Sequence, residues 1–176
     1  MPAPERTSLE QIVTAGRELL ESEGPARLTM QAVAARVGVR APSLYKRVRD
    51  REALLVLVAA ATVDELGARL AGAEPTVAGL ARTFRSFAHE RPEAFRLIQT
   101  VAADAETLAR VSAPVLGVAE ALVGGEEALE AARLVTAWAT GFVTMELAGA
   151  FRLDGDLERA FDFGLSRLTS ALARPS

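Results

Sequence analysis

Between Arg36 and Arg51 six cations, Arg36, Arg40, Lys46, Arg47, Arg49 and Arg51, share sixteen residues with a single acid, Asp50. That is a local net charge of +5 in a chain whose formal net charge is −3. Cations packed this densely in an acidic chain are placed to meet an anion, and their spacing suits the phosphates of a DNA backbone. The asymmetry runs along the chain. Residues 1–52 carry nine bases against seven acids, and residues 53–176 carry eleven against sixteen. Cationic chemistry therefore belongs to the N-terminal end.

The elements that must position these cations are helices. Ser8 and Gln11 form a capping box for a first helix whose apolar face is Leu9, Ile12, Val13, Gly16, Leu19 and Leu20, ended by Gly24-Pro25. Thr29 caps a short second helix from Met30 to about Val37, which Gly38 stops. After a turn at Val39-Arg40, Ala41-Pro42 opens a third helix to about Val48, with proline in the first turn where its missing N–H does no harm. Asp50 caps a fourth helix, Arg51 to about Ala71, stopped by Gly72.

Two short helices joined by a glycine turn, with cations on the second, describe a helix-turn-helix. Ala34, Val37, Val39 and Leu44 are spaced to pack the pair together. Arg40, Ala41, Pro42, Ser43, Lys46 and Arg47 are then left facing outward. Base edges are reached from the N-terminal half of such a helix, and small residues at 41–43 let the backbone approach them. Tyr45 can offer its hydroxyl to a phosphate. Arg51 opposes the dipole at its helix N-terminus, a disadvantage that an external anion would offset. The same residues also fit a solvated basic face on an ordinary three-helix bundle, and charge and spacing alone leave both readings open.

Apolar residues recur at helical spacing through the rest of the chain, and no period-two segment competes with them. Five more helices are expected near 76–90, 92–101, 105–123, 126–151 and 156–173, with breaks at Glu74-Pro75, Arg91-Pro92, Gly124-Gly125 and Asp154-Gly155. Pro114 is expected to kink or split the helix over 105–123. The fold class is all-α, about nine helices. A helix-turn-helix domain is expected over 1–52, followed by a C-terminal helical domain over 53–176.

Composition removes several classes. The chain has no cysteine and one histidine, His89, so it offers no disulfide, no thiolate and no ligand set for a transition metal; no cofactor is expected. Its first residues, MPAPERTSLEQ, contain no apolar core of a signal peptide. The longest uncharged run, Leu134 to Met145, falls short of the roughly 20 residues a membrane span needs and reads as a buried helix. A cytoplasmic protein with no membrane partner is expected. The acids Asp104, Glu106, Glu120 and Glu146 form no convergent acid–base set, so no enzyme is expected.

Residues 9–55 resemble the N-terminal domain of TetR-family transcriptional regulators. The matching residues are the apolar first helix, Leu28-Thr29-Met30, Val33-Ala34, Val37-Gly38-Val39, Pro42-Ser43-Leu44-Tyr45 and Arg51-Glu52-Ala53-Leu54-Leu55. The chain departs at Val48, where the family has an aromatic residue, and at Arg51, where it has lysine. The resemblance implies that Thr29, Tyr45, Arg47 and Arg51 hold phosphates, and that Gln31, Ala41, Pro42, Ser43 and Lys46 face base edges. Residues 75–99 resemble the start of a WHG-type C-terminal domain. The run that names that subclass appears as Trp138-Ala139-Thr140-Gly141, with threonine in place of histidine.

The resemblance also implies a homodimer, which suits the C-terminal helices. The helix over 126–151 is apolar nearly all round between Leu134 and Met145, more than one small domain can cover. The last helix carries Leu157, Phe161, Leu165, Leu168 and Leu172. These residues, with Leu134, Trp138 and Phe142, are the expected interface of a four-helix bundle across a twofold axis; the alternative is a core within one chain. A pocket is expected among Phe84, Phe87, Phe95, Gln99, Trp138, Thr140, Phe142 and Met145, although an aromatic stripe at helical spacing equally fits a core. The reading is a ligand-responsive regulator, expected to repress, that binds a palindromic operator as a dimer and is released by a small, largely apolar effector. Its rivals are a helical ligand-binding or scaffold protein that does not bind DNA, and a helical-bundle enzyme.

Overall fold

The computed structural model describes residues 7–101 and 104–173; the first six residues, part of the stretch read above for a signal peptide, lie outside them. Among the described residues there are nine helices and no strand. They are α1 (Leu9–Glu23), α2 (Met30–Arg36), α3 (Ala41–Leu44), α4 (Arg51–Ala71), α5 (Val77–Glu90), α6 (Pro92–Ile98), α7 (Ala105–Val123), α8 (Ala128–Leu147) and α9 (Leu157–Leu172). The expected caps are in place. The Ser8 hydroxyl accepts from the Gln11 amide at 3.1 Å, while the Gln11 side chain accepts from the Ser8 amide at 2.9 Å. Asp50 Oδ1 accepts from the Ala53 amide at 2.8 Å and fixes the start of α4.

By contacts the chain divides into two compact units. One takes in α1, α2, α3, α4 through Asp64, and α6. The other holds α4 from Glu65, α5, α7, α8 and α9. The domain boundary expected at residue 52 differs from this division, for two reasons. Leu54, Val58 and Ala59 of α4 are buried in one core with Ile12, Leu20, Val33 and Leu44, and Ala94 and Leu97 of α6 join it. Glu21 of α1 also caps α6, its carboxylate accepting from the Ala94 amide at 2.8 Å and the Glu93 amide at 3.3 Å. At Gly16 a Cβ would meet Val58 Cγ2 at 2.9 Å, so the glycine sets how closely α1 and α4 pack.

In the second unit α7 continues through Pro114 as one helix, so of the kink or split expected there the split does not occur. Packing on α8 and α5 holds it there. α8 and α9 are joined by aromatic contacts: Trp138 stacks on Phe161 with ring centroids 5.1 Å apart, and Phe142 meets the same ring edge-on at 5.2 Å. Gly164 lies under Trp138, where a Cβ would stand 2.6 Å from Cζ2. Among the described residues no single helix is long and apolar enough to cross a membrane; only α7 and α8 taken together pass on length and composition, as a pair bent by 119°.

Candidate nucleic-acid interface and cavity

The helix-turn-helix assembles as its spacing predicts. Thr29 Oγ1 accepts from the Ala32 amide at 3.1 Å and starts α2, keeping its O–H free to donate outward. Gly38, at φ +73°, makes the turn, with the Val39 amide donating back to the Ala34 carbonyl at 2.9 Å. A residue with a side chain would be strained at that φ. Ala34 and Leu44 are buried between the helices, with Val37 and Val39 packed against them. Val48 is also buried, so the departure from an aromatic residue is absorbed by packing. α3 is shorter than expected: regular helix ends at Leu44, and the Arg47 and Val48 amides both turn back onto the Leu44 carbonyl.

Gln31, Arg40, Pro42, Ser43, Tyr45, Lys46 and Arg47 are all exposed, and Ala41 is half-buried beside them. Their charges are not equivalent. Arg36 donates to Glu18 at 2.8 Å, and Arg49 donates to Asp50 at 2.7 Å. Arg51 donates to the Leu28 and Pro25 carbonyl oxygens at 2.8 and 2.7 Å. The fold thus employs three of the six clustered cations. Among the described residues Arg40, Lys46 and Arg47 have no ion pair, and they sit at and just after α3. Arg51, implied to hold a phosphate, has two of its nitrogens holding the loop between α1 and α2. Sequence reasoning missed this because carbonyl acceptors carry no residue signature.

The second unit holds a cavity of about 700 Å³ between α4, α5, α7 and α8, with Leu172 of α9 also in its lining. Of the expected pocket residues only Phe84 lines it. Phe87 and Phe95 are buried elsewhere, and Gln99 and Met145 are exposed. Trp138 and Phe142 belong to the aromatic cluster around Phe161, and half-buried Thr140 does not line the cavity either. The actual walls are aliphatic, including Leu66, Leu80, Val111, Val115 and Ala119. Such residues read as ordinary core in a sequence, so this cavity had no signal there.

The expected dimer residues divide similarly. Phe161 and Leu165 are buried in the core of their own chain, with Trp138 and Phe142 packed on them. Leu157 and Leu168 are half-buried, and Leu172 lines the cavity. Only Leu134 of that set is openly exposed. It shares one side of α8 with Gly141 and Met145, and Phe163 stands 62% exposed on α9.

A buried charge pair ties α5 to α8. Arg85 donates from Nε and Nη2 to both Glu146 oxygens, at 2.9 and 2.6 Å, and from Nη1 to Glu158 on α9. His89 Nε2 lies 3.0 Å from Glu146 Oε2. The hydrogen bonds from Arg85 hold the Glu146 carboxyl below its usual value against the opposing effect of burial, and His89 adds to the lowering. Glu146, isolated in the sequence, is thus paired with a residue 61 positions away. Among the described residues no cluster of three or more potential ligands gathers to hold a metal.

Comparison with known proteins agrees with this architecture. Residues 12–58 match the family model of bacterial regulatory proteins, tetR family, and residues 77–168 match the tetracyclin repressor-like C-terminal domain. An uncharacterized HTH-type transcriptional regulator of Mycobacterium tuberculosis, Rv0681, is 31% identical over 97% of this chain and 84% of its own length. Two solved structures share the fold. One is a single-substitution variant of TetR from Acinetobacter baumannii in complex with minocycline (TM-score 0.69, 22% identity, 94% of this chain and 96% of the other). The other is ActR from Streptomyces coelicolor in complex with (S)-DNPA (TM-score 0.73, 18% identity, 95% and 97%). The chain belongs to the TetR family of transcriptional regulators, a helix-turn-helix class of DNA-binding proteins.

Proposed function

We propose that this regulator binds a palindromic operator as a homodimer, represses from it, and is released when a small, largely apolar effector enters the second unit. One observation carries the DNA-binding reading: of the six clustered cations, the three with no ion pair among the described residues, Arg40, Lys46 and Arg47, are those at and beside α3. A basic face that served only solubility would have no reason to be sorted in this way. Thr29, Tyr45 and Arg47 would hold phosphates, while Gln31, Ala41, Pro42, Ser43 and Lys46 would face base edges in the major groove.

The exposed apolar side of α8 and α9, at Leu134, Gly141, Met145 and Phe163, supports a second copy as the partner. Two heads about 34 Å apart along the duplex read a palindrome that one head cannot. The aliphatic cavity supports an apolar effector. α4 is one continuous helix from the first unit into the second, so it is the covalent path by which an occupied cavity would reach the heads. A coupling of roughly 1–3 kcal/mol would weaken operator binding 5- to 150-fold, and bound operator would weaken effector binding equally.

Selection of bound duplexes from random DNA by the purified protein tests this reading. A palindromic consensus with half-sites one helical turn apart is expected. Recovery of no consensus, with binding only at low salt, would leave the basic face without a sequence-reading role.

A further inference from the structure

We infer that the cavity takes an aliphatic amphiphile carrying a single anionic head group, with Arg133 as the group that holds the head. The inference rests on the effector reading above and narrows it to a ligand class. The interior and the mouth of the cavity are chemically different. Buried Leu66, Leu80, Ala119 and Ala132 close the inner wall and offer no polar side-chain atom. The mouth is marked by lining residues that reach solvent, among them Leu108, 51% exposed, on α7, and Leu129, 45% exposed, with Arg133, Thr136 and Ala137 on α8. Leu129, Arg133 and Thr136 are spaced four and three apart, so they stand on one side of α8.

Among the described residues Arg133 is the only charged one that lines the cavity, and it has no ion pair there. Arg69, Arg82 and Arg85, in the same unit, are each held by a carboxylate. A free guanidinium at the rim of an aliphatic hollow offers a planar pair of donors to a carboxylate or a similar oxyanion. Thr136, one turn on, adds a hydroxyl that can donate to the same oxygen. The half-exposed Leu108 and Leu129 would be covered by the first carbons of the chain beyond the head. A neutral, fully apolar ligand would leave Arg133 unused, and a polar polycyclic one would bring more hydrogen-bonding groups than the Ser112 and Thr136 hydroxyls among otherwise aliphatic walls can answer.

Calorimetric titration of the purified, DNA-free protein with octanoate, decanoate, dodecanoate and 1-dodecanol, each below its aggregation limit, tests the assignment. Affinity should rise about fourfold for each added methylene. Arg133→Gln, at an exposed position where folding is not at stake, should weaken dodecanoate about tenfold and leave 1-dodecanol unchanged. Val115→Trp, which fills the cavity from a half-buried wall position, should abolish both while circular dichroism confirms the fold. Equal affinities for the acid and the alcohol, a flat chain-length series, or an Arg133→Gln variant that binds dodecanoate normally would each overturn the inference. Because no DNA is present, the result is independent of release: dodecanoate that binds through Arg133 yet leaves a protein–operator complex intact would count against effector control and not against the ligand class.

Discussion

Arg51, in the first turn of α4, donates its Nε–H to the Leu28 carbonyl oxygen at 2.8 Å, and Nη2 reaches the Pro25 carbonyl beside it. The two bonds pin the loop that delivers Thr29 to the start of α2. Arg51→Ala should therefore lower folding stability by about 1–2 kcal/mol, visible as a reduced melting temperature. Its operator binding should keep the wild-type salt dependence. Arg47→Ala should behave oppositely, with an unchanged melting temperature and a plot of log affinity against log salt that is shallower by about one unit. Salt titrations of both variants on one duplex decide the matter, and a shallower slope for Arg51→Ala would restore it to the phosphate contacts.

Lys46 is exposed just after α3 and has no ion pair among the described residues. Lys46→Ala should leave stability unchanged and weaken the selected operator by about 1–3 kcal/mol, with a smaller loss on a scrambled duplex. Equal losses on both duplexes would make it a phosphate contact instead of a base reader.

The fold was legible where local chemistry decides it. Ser8 with Gln11, Thr29, Gly38 and Asp50 act within a few residues of themselves, so their caps and turn could be placed from sequence. The outward set from Arg40 to Arg47 was legible because burial of Leu44 and Val48 leaves the intervening positions nowhere else to point. What sequence could not show is which of two apolar surfaces a side chain meets. Phe161 and Phe163 are two residues apart on α9, one buried against Trp138 and the other open to solvent. Both are phenylalanine, and only the packing of α9 on α5 and α8 separates their roles. Arg133 escaped notice for a related reason, since a lone arginine on a helix has no pattern until the cavity beside it is seen.

That separation gives a test of the dimer face. Phe161→Ala removes a fully buried ring and should cost about 3–5 kcal/mol of stability, whatever the oligomeric state. Phe163→Asp puts a charge on an exposed position and should leave the fold intact while dissociating the proposed dimer. Sedimentation read beside thermal melts tells the two apart. A Phe163→Asp protein that sediments as a dimer would move the interface elsewhere.

The Arg85–Glu146 pair should make stability fall on acidification. Both side chains are largely buried, 12% and 8% exposed, and the Glu146 carboxyl is held below its ordinary value of 4.5, chiefly by its hydrogen bonds from Arg85. The guanidinium is itself pushed up by Glu146, so it stays charged across the working range. A carboxylate depressed in the folded state contributes stability that is fully present above 4.5 and is lost as pH falls through its lowered folded value. Loss of that charge leaves Arg85 buried with only Glu158, which is largely exposed, to answer it. Glu146→Gln keeps the shape and removes the charge, so it should be less stable than the parent at neutral pH by about 3 kcal/mol. The gap should narrow as pH drops below 4.5, because the parent then loses the charge that the variant already lacks. Denaturant unfolding of both proteins across a pH series measures this convergence. Two curves that stayed parallel through the acid range would mean that the pair contributes nothing beyond its packing.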